Sequence, residues 1–280
     1  MATAELTEHQ LLSLDISDFP PLLGQKVSII YRVGSYAKER DGADTMGMAD
    51  DGRSFADYLL AVGSTSGTIE EASDIIAMTK ELIVKAHETV PQITVANRKA
   101  SLINILSRPN GAEFDAHIVI AHGAQFSKGP RASGFEMDRV DFVMANEDLL
   151  AVRRNGSQAN FTRGTSVFLV ICAAGGEAGG EWYEASIPGA YIRLGASIVI
   201  AAMSAVSLGA SLKMLEKLLP SACQDGITTC EAYAKLLAQQ EGGLLQNFHD
   251  NLYAPFLKRT LPSSTQFTSV ISPSNSIQCY

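Results

Sequence analysis

The chain has 280 residues, of which 46% are hydrophobic and 19% charged, with 23 glycines and 10 prolines. This composition is typical of a soluble globular protein with a full core, and it excludes disordered and collagen-like classes. The formal net charge is −8, and the acidic excess lies in the first 90 residues, which hold 15 acids and 7 bases. Because no basic stripe is present, we expect no nucleic-acid partner.

Strands and helices alternate along the predicted chain. In order, the patterns predict a strand at 26–31, helices at 53–62 and 68–89, a strand at 92–96, a helix at 99–106, a strand at 116–121 and a hairpin at 135–144. A helix capped by Asn146, a strand at 165–171, a helix at 188–194, a strand at 197–203 and two or three helices through residue 256 follow. This alternation predicts an α/β fold with a mostly parallel central sheet and helices on both faces.

One domain accounts for most of the chain. We expect it to span residues 26–259, after an N-terminal extension at 1–25 and before a flexible tail at 260–280, which is rich in Ser and Thr and has no period. Residues 194–212 carry no charge and are long enough to span a bilayer. Since Gly195 and Gly209 divide this run, we predict a buried strand followed by a helix, and no membrane contact.

Cysteine spacing bears on the compartment of the protein. The four cysteines, Cys172, Cys223, Cys230 and Cys279, are too few for a disulfide scaffold and contain no CxxC pair. The acidic N-terminus also lacks the features of a secretory signal, so we expect a cytoplasmic protein. Cys223 and Cys230 lie seven positions apart, which favours structural thiols over a metal pair.

Two apolar strands end in residues that can perform chemistry. The strand at 116–121 is followed by His122 and Gly123, and the strand at 165–171 is followed by Cys172. Because parallel strands place their carboxyl ends at one edge of a sheet, a thiol and an imidazole are expected to converge there. An imidazole ionises a thiol and protonates a leaving amine, while the backbone N–H groups of Gly123 and Cys172 are candidate oxyanion donors.

His122, Gly123 and Cys172 also have interpretations that involve no chemistry. A cysteine at a strand end is often a small core hydrophobe, and a His-Gly pair is often a turn. No GxxxxGK[ST], GxGxxG, HExxH or GxSxG motif is present, so nucleotide hydrolases, zinc peptidases and serine hydrolases lack their required residues. By strand alternation, His117 is expected to face away from His122 and to pack in the core.

The two strand ends, with the hairpin between them, resemble the caspase-like cysteine peptidases. Residues 188–219, with a helix, a Gly-Ala turn, an apolar strand and a second helix, are more closely similar to CHAT-type peptidases. The resemblance covers about residues 90–240 and implies a caspase-hemoglobinase fold and endopeptidase activity without a cofactor. It implies that His122 is the general acid and base, Gly123 an oxyanion donor and Cys172 the nucleophile. Val170 lies two positions before Cys172, where the family commonly has a polar or acidic residue.

The same resemblance implies where a protein or peptide substrate binds. It places Arg32, Asp41, Asp44 and Asp50 near the primary specificity pocket, and it makes Ser204 to Val206 an edge for an extended substrate. The acidic loop favours a basic P1 residue, whereas Arg32 would select an acidic one.

Control by a partner protein, a ligand or a linker at 175–187 is expected for such a peptidase. The alternatives are a catalytically silent caspase-like domain that binds a partner through the same groove, and an unrelated flavodoxin-like binding domain.

Overall fold

The computed structural model describes residues 31–33, 54–63, 69–108, 113–125, 133–138, 141–154, 161, 164–172, 174, 186–202, 205–238 and 253–258. The predicted extension at 1–25, the predicted tail at 260–280 and residues 175–185 of the predicted linker at 175–187 lie outside these residues, whereas residues 186–187 are described and lie at the start of the helix that follows the linker. Of the first predicted strand, only Tyr31 is described.

The elements follow in chain order. The first half contains β1 (Tyr31–Val33), β2 (Asp57–Val62), α1 (Ile69–Lys85), β3 (Gln92–Ala96), α2 (Lys99–Leu106), β4 (Ala116–Gln125), β5 (Ser133–Asp138) and β6 (Asp141–Met144). A π-helix (Ala145–Leu149) then leads into α3 (Leu150–Arg154), β7 (Ser166–Ile171), α4 (Ile187–Arg193), β8 (Ile198–Ala202), α5 (Leu208–Ala222), α6 (Thr229–Ala238) and β9 (Tyr253–Lys258).

The described strands form one sheet in the order β1-β9-β8-β7-β4-β2-β3. The central pairs β3–β2, β2–β4, β4–β7 and β7–β8 are parallel, as is β1–β9. Within this order of described strands, β8–β9 is the antiparallel pair, so β9 and β1 both run opposite to the central strands. Strand β4 continues past the sheet and pairs with the antiparallel hairpin of β5 and β6.

Helices cover both faces of the sheet. Leu59, Val119 and Leu169 face one apolar cluster, which α2, α3, α4 and the π-helix complete. Alternate residues of the same strands face a second cluster, which contains side chains of α1, α5 and α6. Central strands buried on both faces account for the continuous apolar runs of the sequence. The architecture matches the predicted α/β class, with a mostly parallel central sheet and helices on both faces. The finer prediction, a caspase-hemoglobinase-like fold, stays a prediction.

One predicted helix, at 53–62, is wrong. Residues Asp57–Val62 form β2, between β3 and β4, and every side chain from Tyr58 to Val62 is buried. A short apolar run has no reliable period, because a strand buried on both faces and a buried helical segment present the same residues. The pairing partners on both sides, which are distant in sequence, decide for the strand.

The prediction of helix through residue 256 is also wrong at its end. Tyr253–Lys258 forms β9, where helix was expected, and it extends the sheet beyond β8.

The helix expected to begin at Asn146 instead begins with a π-helical turn at Ala145, after Met144. The N–H of Met144 donates to Asp148 Oδ2 at 2.8 Å, and this bond closes the turn.

The uncharged run at 194–212 was predicted correctly. It forms β8 and the first residues of α5, and the turn before β8 contains Gly195 at a φ of 101°, a conformation that favours glycine. Within the described ranges, no helix is both long and apolar enough to cross a membrane.

His117 is buried in the core, as predicted. Its ring packs edge-on against Tyr191, with centroids 5.2 Å apart, and against Phe161 at 6.0 Å. In the described part of the protein, neither ring nitrogen has a hydrogen-bond partner. Burial lowers the pKa of His117 to about 3, because the charged imidazolium loses its hydration in this apolar cluster.

Replacing His117 by Leu is expected to reduce acid sensitivity. The folded pKa lies below the unfolded value of about 6.5, so the unfolded chain binds the proton first. Stability is therefore lost as pH falls from about 6.5 towards 3, by up to about 1.4 kcal/mol per pH unit. In urea titrations from pH 7 to pH 4, His117→Leu should lose less stability than the unsubstituted protein. Parallel pH profiles for the two proteins would contradict this.

Candidate active site

The parallel pairing of β4 with β7 ends at one edge of the sheet. The two strands pair in parallel over six positions, and the last pair joins Ala121 to Ile171. His122 and Cys172 each follow this last pair by one residue. The predicted convergence of the two strand ends is therefore present in the fold.

The two side chains also project to the same side of the sheet. Ala121 and Ile171 both belong to the cluster that contains α2 and α4, so the next residue of each strand turns towards the opposite face. Cys172 is half-buried there, and the His122 side chain is exposed. The imidazole of His122 is therefore accessible, and the thiol of Cys172 is partly shielded.

Gly123 lies directly against the backbone of Cys172. A Cβ built on Gly123 would stand 2.5 Å from the carbonyl oxygen of Cys172 and 3.3 Å from Ile171 Cγ2. Real Cβ atoms do not approach a carbonyl oxygen this closely, so only glycine permits the strand to continue here without a shift. The absence of a side chain brings two backbones together at the edge where the thiol lies.

The thiol of Cys172 contacts the backbone of Val206. Its Sγ donates to the Val206 carbonyl at 3.4 Å, and the Val206 N–H lies 3.5 Å from the same sulfur. A neutral thiol can use the carbonyl as acceptor, whereas a thiolate can accept the N–H. Of the predicted substrate-binding residues, Val206 is thus brought to the thiol.

Tyr253 and Ser211, two polar residues that the sequence did not indicate, stabilise the segment that contains Val206. The Tyr253 hydroxyl donates to Ser211 Oγ at 2.7 Å, and Ser211 Oγ donates to the carbonyl of Ser207 at 2.8 Å. Ser207 caps α5 by accepting the N–H of Ala210 at 3.2 Å. These bonds fix the start of α5, which follows Val206 directly. Tyr253 escaped notice because its strand was predicted as helix.

Tyr253 is also electrostatically coupled to Cys172. Burial raises the pKa of the Tyr253 hydroxyl to about 12, a hydrogen bond with Ser211 opposes the rise, and the charge of Cys172 adds to it. The phenol therefore stays neutral at physiological pH and remains a hydrogen-bond donor beside the thiol.

Glu136 is a second residue that was not predicted. It stands directly across from His122 in the antiparallel pairing of β4 and β5, and residues paired in this way project to the same face. The hairpin between the two candidate residues therefore carries an acidic side chain opposite the imidazole. The sequence predicted the hairpin that carries Glu136. It did not predict how this hairpin pairs with residues 122–125, and that pairing is what places Glu136 opposite His122.

The side chains of the other predicted specificity residues lie outside those that the structure describes. Arg32 lies in β1, which is separated from β7 by β9 and β8, and its side chain is not among those described. Asp41, Asp44, Asp50 and Ser204 lie outside the described residues. Their proximity to the thiol stays a prediction.

Among the described residues, no three His, Cys, Asp or Glu side chains group as metal ligands.

Comparisons with known proteins give only distant structural matches. No family model matches the sequence, and no curated protein matches it. The Arg-specific cysteine proteinase gingipain R (RgpB) matches with a TM-score of 0.44 at 11% identity over 75% of this chain and 48% of the other. A complex of the Porphyromonas gingivalis RgpB pro- and mature domains matches with the same score and identity over 78% and 49%. The chain thus spans about half the length of these solved structures.

The three described cysteines should differ sharply in alkylation rate. Cys172 is half-buried, whereas Cys223 and Cys230 are buried, and burial raises the pKa of Cys223 to about 11. Because the thiolate is the reacting species, Cys223 stays unreactive at pH 8. Iodoacetamide followed by peptide mapping should label Cys172 well before Cys223 and Cys230. Equal rates in the folded protein would contradict the described environments, and equal rates in urea are the expected control.

Proposed function

We propose that this protein is a caspase-like cysteine endopeptidase in which Cys172 is the nucleophile and His122 the general acid and base. The observation that carries the proposal is the parallel pairing that ends at Ala121 and Ile171, with both candidate residues one position beyond it and on the same face. The close approach of Gly123 to the Cys172 backbone supports it, since two backbone N–H groups near a nucleophile suit an oxyanion. A closer CHAT-type relationship remains a prediction from the sequence.

The chemistry follows from the residue types. His122 takes the proton of the Cys172 thiol, and the sulfur attacks the scissile carbonyl to form the C–S bond. The backbone N–H groups of Gly123 and Cys172 stabilise the oxyanion. His122 then gives the proton to the leaving amine as the C–N bond breaks. Water, deprotonated by His122, releases the acyl group and restores the thiol.

The substrate is proposed to be an extended peptide. Val206 lies in a segment without helix or strand structure, between β8 and α5, and its backbone contacts the thiol. When a substrate carbonyl displaces this contact, the Val206 N–H and C=O become available for pairing with an extended backbone. A basic P1 residue is proposed from the acidic loop that contains Asp41 and Asp44.

Removal of either member of the dyad should abolish peptide cleavage. Cys172→Ala removes the nucleophile, and His122→Gln should lower kcat by about 10²–10⁴-fold because proton transfer is lost. Fluorogenic peptides that differ only in a basic, acidic or apolar P1 residue provide the assay. Cys230→Ala changes a buried cysteine of α6 and serves as the matched control, with circular dichroism to verify the fold of each variant.

A folded protein that cleaves no peptide in this panel, and whose Cys172 reacts with iodoacetamide at a rate independent of His122, would contradict the proposal. That result would favour a silent domain that binds a partner. Cleavage that persists in Cys172→Ala would instead show that the nucleophile was assigned wrongly.

Gly123→Ala is expected to reduce activity more than it reduces stability. The new methyl group would lie 2.5 Å from the Cys172 carbonyl oxygen, so the two strand ends must separate. Misplacement of reacting groups by about 1 Å costs about 10²-fold in rate. Gly209→Ala is the matched control, since a Cβ there meets nothing within 4 Å. Equal kcat values for the two variants would contradict a role for the Gly123 backbone.

A further inference from the structure

A second polar cluster lies far from Cys172 in the fold. It joins Tyr58 near the beginning of β2, His87 just after α1, and Cys223 at the end of α5. Because parallel strands carry the candidate dyad at their carboxyl ends, this cluster sits towards the opposite edge of the sheet. The proposed peptidase reaction does not use it.

Three different donor atoms in the cluster are mutually close. The Tyr58 hydroxyl lies 2.8 Å from His87 Nε2 and 3.2 Å from Cys223 Sγ, and this sulfur lies 3.3 Å from Nε2. The oxygen, nitrogen and sulfur thus form a nearly equilateral triangle. Tyr58 is fully buried and Cys223 nearly so, whereas His87 is partly exposed.

Hydrogen bonds account for two of these three contacts. A ring nitrogen of a neutral imidazole has either one hydrogen or one lone pair, so Nε2 makes one conventional hydrogen bond at a time. If Tyr58 donates to Nε2 and the Cys223 thiol donates to the Tyr58 oxygen, no hydrogen lies between sulfur and nitrogen. The remaining 3.3 Å separation is then a van der Waals contact, and it leaves the sulfur and the nitrogen facing each other across the triangle.

Two carboxylates lie near the backbone of the cluster. The carboxylate of Asp115 accepts the N–H groups of Ala56 and Asp57 at 2.8 and 2.9 Å, immediately before Tyr58. Asp225, two residues after Cys223, accepts the N–H of Ser54 at 3.0 Å. Acidic groups therefore flank the cluster from two sides.

We propose that Tyr58 Oη, His87 Nε2 and Cys223 Sγ form a binding site for a borderline divalent cation of the Zn²⁺ type. Imidazole nitrogen and thiolate sulfur are preferred ligands of this ion, at about 2.1 and 2.3 Å. Tetrahedral ligands at these distances stand about 3.4 Å apart, so the three atoms need to move outward by only a few tenths of an ångström. Binding releases the thiol proton to solvent.

The partly exposed His87 gives the cation a route to the site and leaves a fourth position for water. The bound ion would tie the end of α1, the beginning of β2 and the end of α5 together. The site differs from the metal pair considered from sequence, because Cys223 is joined to His87 and Tyr58 and not to Cys230.

Cobalt titration tests the site directly. The full chain carrying Cys172→Ala is used, so that the candidate catalytic thiol contributes no signal. Addition of Co²⁺ should produce a near-ultraviolet band from thiolate-to-cobalt charge transfer that saturates at one ion per chain and is displaced by Zn²⁺. Adding Cys223→Ser should abolish the band, and adding His87→Gln should weaken binding by at least about 10-fold. Adding Cys230→Ser, as the matched thiol control, should leave the titration unchanged.

Failure of this test is distinct from failure of the proposed peptidase, because the readout does not depend on activity. Absence of a saturable band, a band that survives both substitutions, or several weak sites per chain would overturn the proposal. His87→Gln alters a partly exposed side chain and is verified by circular dichroism, so it decides the question even if Cys223→Ser does not fold.

Discussion

The parallel pairing of β4 with β7 is the contact on which the arrangement of the molecule depends. It joins residues about 50 positions apart, fixes the order of the central strands, and ends at Ala121 and Ile171. A shift of one residue in this register would reverse every side chain of one strand and exchange its two buried faces. Burial of both faces therefore stabilises the same register that sets His122 beside Cys172.

Backbone geometry completes this edge of the sheet. Gly123 allows β4 to pass the Cys172 carbonyl before the strand enters the hairpin with β5 and β6. On the other side, Tyr253 and Ser211 hold the beginning of α5, and the adjacent Val206 backbone receives the thiol. Cys172 is thus positioned by backbone groups, while the packed helices keep those groups in place.

The two ends of the sheet give cysteine contrasting environments. Cys172 lies partly exposed beside backbone donors and acceptors, so its thiol can react and its thiolate can be stabilised. Cys223 is buried, and burial raises its pKa to about 11, so its thiol stays protonated at physiological pH. The same residue type is therefore accessible at one edge of the sheet and shielded near the other.

The amino-acid sequence was enough to predict the apolar runs at 116–121 and 165–171, because long buried runs are local signals, but not that β4 continues through His122 to Gln125. It also determined β3, α2 and β8 closely. Tertiary structure decided that 57–62 and 253–258 are strands, since their identity depends on partners distant in the chain. Tertiary structure also decided which residues lie near Tyr253 and Glu136, and it brought Tyr58, His87 and Cys223 together. Sheet register and helix packing produce these contacts, and no local sequence pattern encodes register or packing.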